Sequence, residues 1–242
     1  MPVVFDHVAV AAHRIAGATD FLVGKLGGVS GFGGPSGPYR WWHWDFADGG
    51  RIEVLEPDGP PGGFLHRFLD RRGPGIHHVT FKVPSLQATC DRAESLGYRV
   101  VGFDDSNPHW REAFLHPRQA MGIVVQFAES DSDDSAEKRL AENPPPEPLS
   151  APSPVAVVGL RMGSADRSAA LRQWAELIEG EVEEKVGELL FRWPGSAMRI
   201  AVTLEAGIED EAEAIELRAD RALGLSKKPH PVLGTRFRQL RD

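Results

Sequence analysis

One cysteine, Cys90, stands among 242 residues, so no disulfide can form within the chain. No apolar run approaches the ~20 residues that a membrane-spanning helix requires. Basic residues are dispersed, and a formal charge of −8 with a pI near 5.6 argues against broad attraction to nucleic acid or anionic membrane. The pairs Gly27-Gly28, Gly33-Gly34 and Gly62-Gly63 lack the strand-to-helix setting of a nucleotide-binding loop and read as turns. The opening stretch Met1-Pro2-Val3-Val4-Phe5-Asp6 has no basic region of the kind that begins a leader segment. These absences set the expectation of a reduced, cytoplasmic protein with no nucleic acid and no membrane as partner.

What is present suits a soluble globular chain: 41% hydrophobic and 26% charged residues, enough for one large domain or two small ones. Between Glu129 and Pro154 the character changes. Asp131, Asp133, Asp134 and Glu137 are followed by Pro144-Pro145-Pro146, Pro148, Pro152 and Pro154, a composition that reads as a linker. The expected division is a domain over 1–129, a linker over 130–154 and a further unit over 155–242.

The first part repeats itself. Phe5–Ala11 (F-D-H-V-A-V-A) and Ile76–Val83 (I-H-H-V-T-F-K-V) both alternate as short strands. A helix is predicted after each. Thr19 or Asp20 is the cap of the first, with Gly27-Gly28 as its stop. Ser85 is the cap of the second, with Leu86, Cys90 and Ala93 on the buried side and Gly97 as the stop. Arg51–Leu55 and Gly122–Ala128 are later strands in matching places. His7 to His78 spans 71 residues and Glu53 to Gln126 spans 73, so two independent pairings agree on one β-α-β-β-β unit used twice.

A weaker third copy follows the linker. Val155–Met162 and Met198–Leu204 read as strands, and Asp166 can cap a helix carrying Leu171, Trp174, Ala175 and Ile178. Matching G-L-R-M to H-V-A-V sets Gly159 where His7 stands. Matching R-I-A-V to R-I-E-V sets Ala201 where Glu53 stands. The third unit thus keeps the pattern without the ligand types. Ala214–Arg218 and Thr235–Leu240 supply two more strands, too few for a fourth unit. The third unit's open edge must either dock on them or pair across a homodimer, which is the expected assembly.

Alternation sorts the side chains. Val8, Val10, Val79, Phe81 and Val83 face a helix. His7, Ala9 and Ala11, like His78, Thr80 and Lys82, face the other way, with Glu53 and Gln126 on that same side. If the two units pair about a pseudo-twofold axis, His7, Glu53, His78 and Gln126 converge in one cleft. His77 is turned away by parity. Trp41, Trp42 and Trp44 around His43 are partly core and partly a candidate wall for an apolar pocket.

These stretches resemble the vicinal-oxygen-chelate (glyoxalase, bleomycin-resistance and extradiol dioxygenase) superfamily, and within it proteins of the methylmalonyl-CoA epimerase type. The resemblance rests on Asp6–Val10, Ile52–Pro57, Phe64–Leu69, Gly73–His78, Phe114–Pro117 and Gly122–Gln126, and covers most of residues 5–129. It implies an α+β fold of paired β-α-β-β-β units and a divalent ion (Co, Ni, Zn, Mn or Fe) held by His7, Glu53, His78 and Gln126. Two imidazoles, a carboxylate and an amide oxygen suit such borderline ions. Epimerases of this kind carry glutamate at the last ligand position, where Gln126 cannot accept a proton. The proton-handling candidates are therefore Glu53, His43 and Glu112, with Asp45 and His109 beside them.

The resemblance implies a metal-dependent lyase or isomerase that removes a proton next to a carbonyl. An Fe(II) dioxygenase using His7, His78 and Glu53 is the alternative, and a non-catalytic small-molecule binder a third. A CoA thioester is disfavoured, since Arg40, Lys82 and Arg111 are the sole cations expected near the cleft.

Overall fold

In the computed structural model, which describes residues 2–130 and 143–241, both repeats take the expected form. The first runs through β1 (Val4–Ala11), a 3-10 turn (Ile15–Ala18), α1 (Thr19–Leu22), β2 (Val29–Ser36), β3 (Tyr39–Asp45) and β4 (Arg51–Pro57). After α2 (Phe64–Arg72), the second runs through β5 (Gly75–Lys82), α3 (Leu86–Ser95), β6 (Val100–Asp104), β7 (Arg111–Leu115) and β8 (Val124–Glu129). Their sheet has the order β2-β3-β4-β1-β5-β8-β7-β6. In each repeat the last strand returns parallel to the first, and the hairpins extend outward.

The third copy is also present: β9 (Ala156–Ser164), α4 (Arg167–Leu171), a π-helical turn (Arg172–Leu177), β10 (Glu181–Lys185), β11 (Glu188–Arg192) and β12 (Arg199–Leu204). With β13 (Glu211–Arg218) and β14 (Arg236–Gln239) it forms a sheet of order β10-β11-β12-β9-β13-β14. The edge of β9 is thus met by β13 of the same chain. The whole is an α+β fold of two mixed sheets with few helices.

Registers align the three copies residue by residue. Ala9 lies opposite Glu53, Thr80 opposite Gln126, and Arg161 opposite Ala201. Each first-strand member of these pairs stands two residues after His7, His78 or Gly159. Gly159 cannot simply be exchanged for histidine: its φ is +133°, and a Cβ there would collide with the backbone carbonyl of Arg199. On the cleft-side face of this copy Arg161 reaches Glu188 Oε1 at 2.6 Å and Thr203 Oγ1 at 2.7 Å. The arginine of this ion pair occupies the register position of Ala9 and Thr80, while Gly159 and Ala201 stand at the ligand positions themselves.

Helix boundaries follow local chemistry. Ser85 Oγ accepts from Ala88 N, and Asp166 Oδ1 from Ala169 N, as side-chain caps do. Thr19 makes no cap; the preceding 3-10 turn places it inside the helix, where its hydroxyl donates to the Ala16 carbonyl. The third copy's helix widens into its π turn, which shifts the buried stripe to Ala170, Trp174, Leu177 and Ile178 and leaves Leu171 and Ala175 half-buried.

By contacts the chain forms two compact units. The first takes the start of β1 through His7, the second repeat from His78, and Gly159–Ala214. Its core is aromatic: Phe5 and Phe81 stack at 4.8 Å, and Trp193 meets Phe81 at 4.7 Å. Cys90 is buried here, and burial pushes its thiol up to about 11, as befits a core residue.

The other unit takes Val8–His77, the chain leading to Val158, and Ile215 onward. Of the acidic, proline-rich stretch, residues 131–142 lie outside the described residues. Its later part runs along the first repeat: Arg40 donates to the Asn143 carbonyl at 3.0 Å, and Val155 N to the Leu26 carbonyl at 2.9 Å. Gly27, at φ +76°, has no room for a side chain beside Pro152 and Ser153.

Candidate metal centre

Every ligand candidate read from the sequence is buried: His7 is 2% exposed, Glu53 7%, His78 6% and Gln126 7%. Burying this much polarity without compensation is costly, so the partners define the site. Among the described residues, the group of three or more ionisable side chains whose ligand atoms all lie within 4.8 Å of one another is His7, His43 and Glu53. His78 is not in that group; its ring centroid is 5.7 Å from that of His7.

Strand geometry explains the cluster. His43 lies directly opposite Glu53 on the β3–β4 ladder, and Glu53 opposite Ala9 on β1. Cross-strand partners share a face, and His7 is two residues from Ala9, hence on that face too. His43 Nε2 stands 2.9 Å from Glu53 Oε2. The rings of Phe32 and Trp41 lie 4.9 Å from the imidazole. Trp42 and Trp44 point the opposite way into the core, with Trp42 Nε1 donating to Ser30 Oγ. Of the three tryptophans, Trp41 alone flanks His43.

A second network organises His7 and Gln126. His7 Nδ1 donates to Asp6 Oδ2 at 2.7 Å, and Lys82 Nζ sits 3.3 Å from the other oxygen of Asp6. A carboxylate on Nδ1 fixes the ring and directs Nε2 inward, the arrangement usual behind a metal-binding histidine. That Nε2 is 2.9 Å from Thr80 Oγ1, which donates at 2.6 Å to Gln126 Oε1. Gln126 Nε2 in turn donates at 2.6 Å to Glu112 Oε2. Neither Asp6 nor Thr80 carries a signal in the sequence that marks it as part of the site. Alternation marks Thr80 only as a residue on the same face as His78, and Asp6 stands out only as the start of the stretch Asp6–Val10.

The remaining candidates have other partners. Asp45 holds Arg51 at 2.7 Å, and the exposed His109 takes part in a turn with Asn107. His77 lies against Phe64 and Phe68, with centroids at 5.7 and 4.9 Å, and burial pushes it down to about 4. α2 packs Leu65 and Leu69 on Ala11 and Leu55. Two imidazoles and a carboxylate, buried and mutually within reach, are a donor set that fits a divalent first-row ion.

Residues 6–114, somewhat less than half of the chain, match the family model of the Glyoxalase/Bleomycin resistance protein/Dioxygenase superfamily. A curated relative, the ethylmalonyl-CoA/methylmalonyl-CoA epimerase of Cereibacter sphaeroides, is 34% identical over 83 residues, which are 32% of this chain and 60% of that protein. The chain therefore spans about three fifths of the relative's length. A hypothetical protein from Staphylococcus aureus has the same fold over 98% of this chain and 100% of its own, with a TM-score of 0.65 at 12% identity. A mutant of 4-hydroxymandelate synthase from Streptomyces coelicolor shares the fold over 91% of this chain and 72% of its own, with a TM-score of 0.61 at 13% identity. No helix among the described residues is long and apolar enough to cross a membrane.

Proposed function

We propose that the protein is a metal-dependent lyase or isomerase acting on a small carbonyl compound, with its ion held by His7, Glu53, His78 and Gln126 and with His43 beside Glu53. The observation that carries this reading is the buried approach of His7, His43 and Glu53 within 4.8 Å. A divalent ion held by these side chains supplies a Lewis acid for the charge that develops on a carbonyl oxygen. Asp6 holds the His7 ring so that Nε2 faces inward. Glu53 is the carboxylate suited to take a proton from the carbon next to the carbonyl, and His43, 2.9 Å from it, is suited to pass that proton on. Phe32 and Trp41 shield the pair from water.

A small substrate fits better than a CoA thioester. Arg40 is bound to Glu56 at 3.4 Å, Lys82 to Asp6 at 3.3 Å and Arg111 to Glu129 at 3.0 Å, so each cation expected near the cleft is engaged with a carboxylate. The test is exchange in D2O, followed by NMR, of α-hydrogens in a panel of small 2-keto and 2-hydroxy carbonyl compounds. Exchange that needs added metal and disappears in Glu53→Gln supports the reading; binding without any exchange contradicts it.

A second reading is favoured by the same donor set, since two histidines and one carboxylate suit Fe(II) in dioxygenases. Oxygen consumption with the iron-loaded protein, and no exchange, would select it.

A further inference from the structure

We propose that Glu112 is a positioning residue: it turns the Gln126 amide so that the oxygen, not the nitrogen, faces His7. The inference rests on the reading of Gln126 as a metal ligand. Glu112 lies half-buried on β7. Its Oε2 accepts from Trp110 Nε1 at 2.8 Å and from Gln126 Nε2 at 2.6 Å. An indole N–H only donates and an ionised carboxylate only accepts. The edge of the amide that meets this oxygen must therefore be its NH2 edge. Gln126 Oε1 is left facing the other way, where Thr80 Oγ1 donates to it while standing 2.9 Å from His7 Nε2.

The two ends of an amide are nearly equal in size, but only one can bind a cation. The oxygen has lone pairs available, whereas the nitrogen lone pair is delocalised and its hydrogens would repel the ion. A glutamate in this position needs no such guidance, because both its ends are oxygen.

The two repeats bear this out by their asymmetry. On β4 the ligand candidate is the carboxylate Glu53, and the hairpin position opposite Leu55 is Trp41. On β8 the ligand candidate is the amide Gln126, and the matching position, opposite Ala128, is Glu112. The orienting carboxylate stands in the repeat whose ligand has a wrong way round.

The test is calorimetric titration of the full metal-free chain with Zn²⁺ and with Co²⁺ alone. Parent, Glu112→Leu, Glu112→Gln, Gln126→Ala, Gln126→Glu and the Glu112→Leu/Gln126→Glu double variant are compared, with circular dichroism to verify folding. Glu112→Leu should weaken binding about ten- to a hundredfold and change the visible spectrum of bound Co²⁺. Glu112→Gln, whose carbonyl can still accept, should recover part of the loss. In the Gln126→Glu background Glu112→Leu should cost no affinity. Equal losses in both backgrounds would mark Glu112 as merely structural and overturn the proposal. If Gln126→Ala weakens binding while Glu112→Leu does not, positioning alone fails. If Gln126→Ala leaves binding intact, the ligand reading fails and the proposal with it.

Discussion

Glu53 Oε2 and His43 Nε2 stand 2.9 Å apart, on directly opposed residues of adjacent strands, and both side chains are buried. A carboxylate and an imidazole held this way either bind one ion together or fix each other behind it. In both cases His43→Leu should lower affinity for Zn²⁺ or Co²⁺ about ten- to a hundredfold while the fold persists. Calorimetric titration checks this; unchanged affinity would leave the pair a structural contact.

In the third copy the backbone itself excludes a side chain at the position that matches His7. Gly159 adopts φ +133° against the Arg199 carbonyl, so Gly159→Ala should destabilise the protein by about 3 kcal/mol or more, read by denaturant unfolding. Gly159→His should not create a second metal site for the same reason. An unchanged unfolding midpoint for Gly159→Ala would contradict this.

α2 depends on a small apolar contact. Leu65, 1% exposed, and Leu69 cover Ala11 and Leu55 with Tyr39, Trp41 and Phe68 around them. Truncation by Leu65→Ala should cost about 2–5 kcal/mol, the usual range for a buried leucine. Chemical denaturation measures it directly.

His77 gives the stability a predictable acid limb. Burial holds its folded-state value at about 4, below the ordinary 6.5, so the unfolded chain binds the proton more readily. Stability from this group is complete above pH 6.5, declines as pH falls from 6.5 to 4, and changes no further below that. The swing is of order 3 kcal/mol at most. His77→Phe should flatten this part of a stability–pH curve; an identical curve would contradict the assignment.

Much of this architecture is legible in the residues because it is written twice. The near-equal offsets from His7 to His78 and from Glu53 to Gln126 locate strands, faces and the pairing of repeats, and β-strand parity then turns His77 away. Ser85 and Asp166 announce their helices because capping is local. What escapes the sequence is what depends on register and on distant packing. Trp41, His43 and Glu53 share a face only once β3 is aligned with β4, and the same alternation sends Trp42 and Trp44 into the core. Thr80 looks like a space-leaving residue until its hydroxyl is seen between His7 and Gln126. The π turn at Arg172–Leu177 shifts a helical stripe that a regular 3.6-residue period places on Leu171 and Ala175.

The most direct measurement is the metal content of the purified protein by mass spectrometry, beside a His7→Ala/His78→Ala double variant. The expected result is near one equivalent of Co, Ni, Zn, Mn or Fe in the parent and none in the variant. A parent that carries no metal and gains no thermal stability from any of these ions would contradict a metal-dependent function.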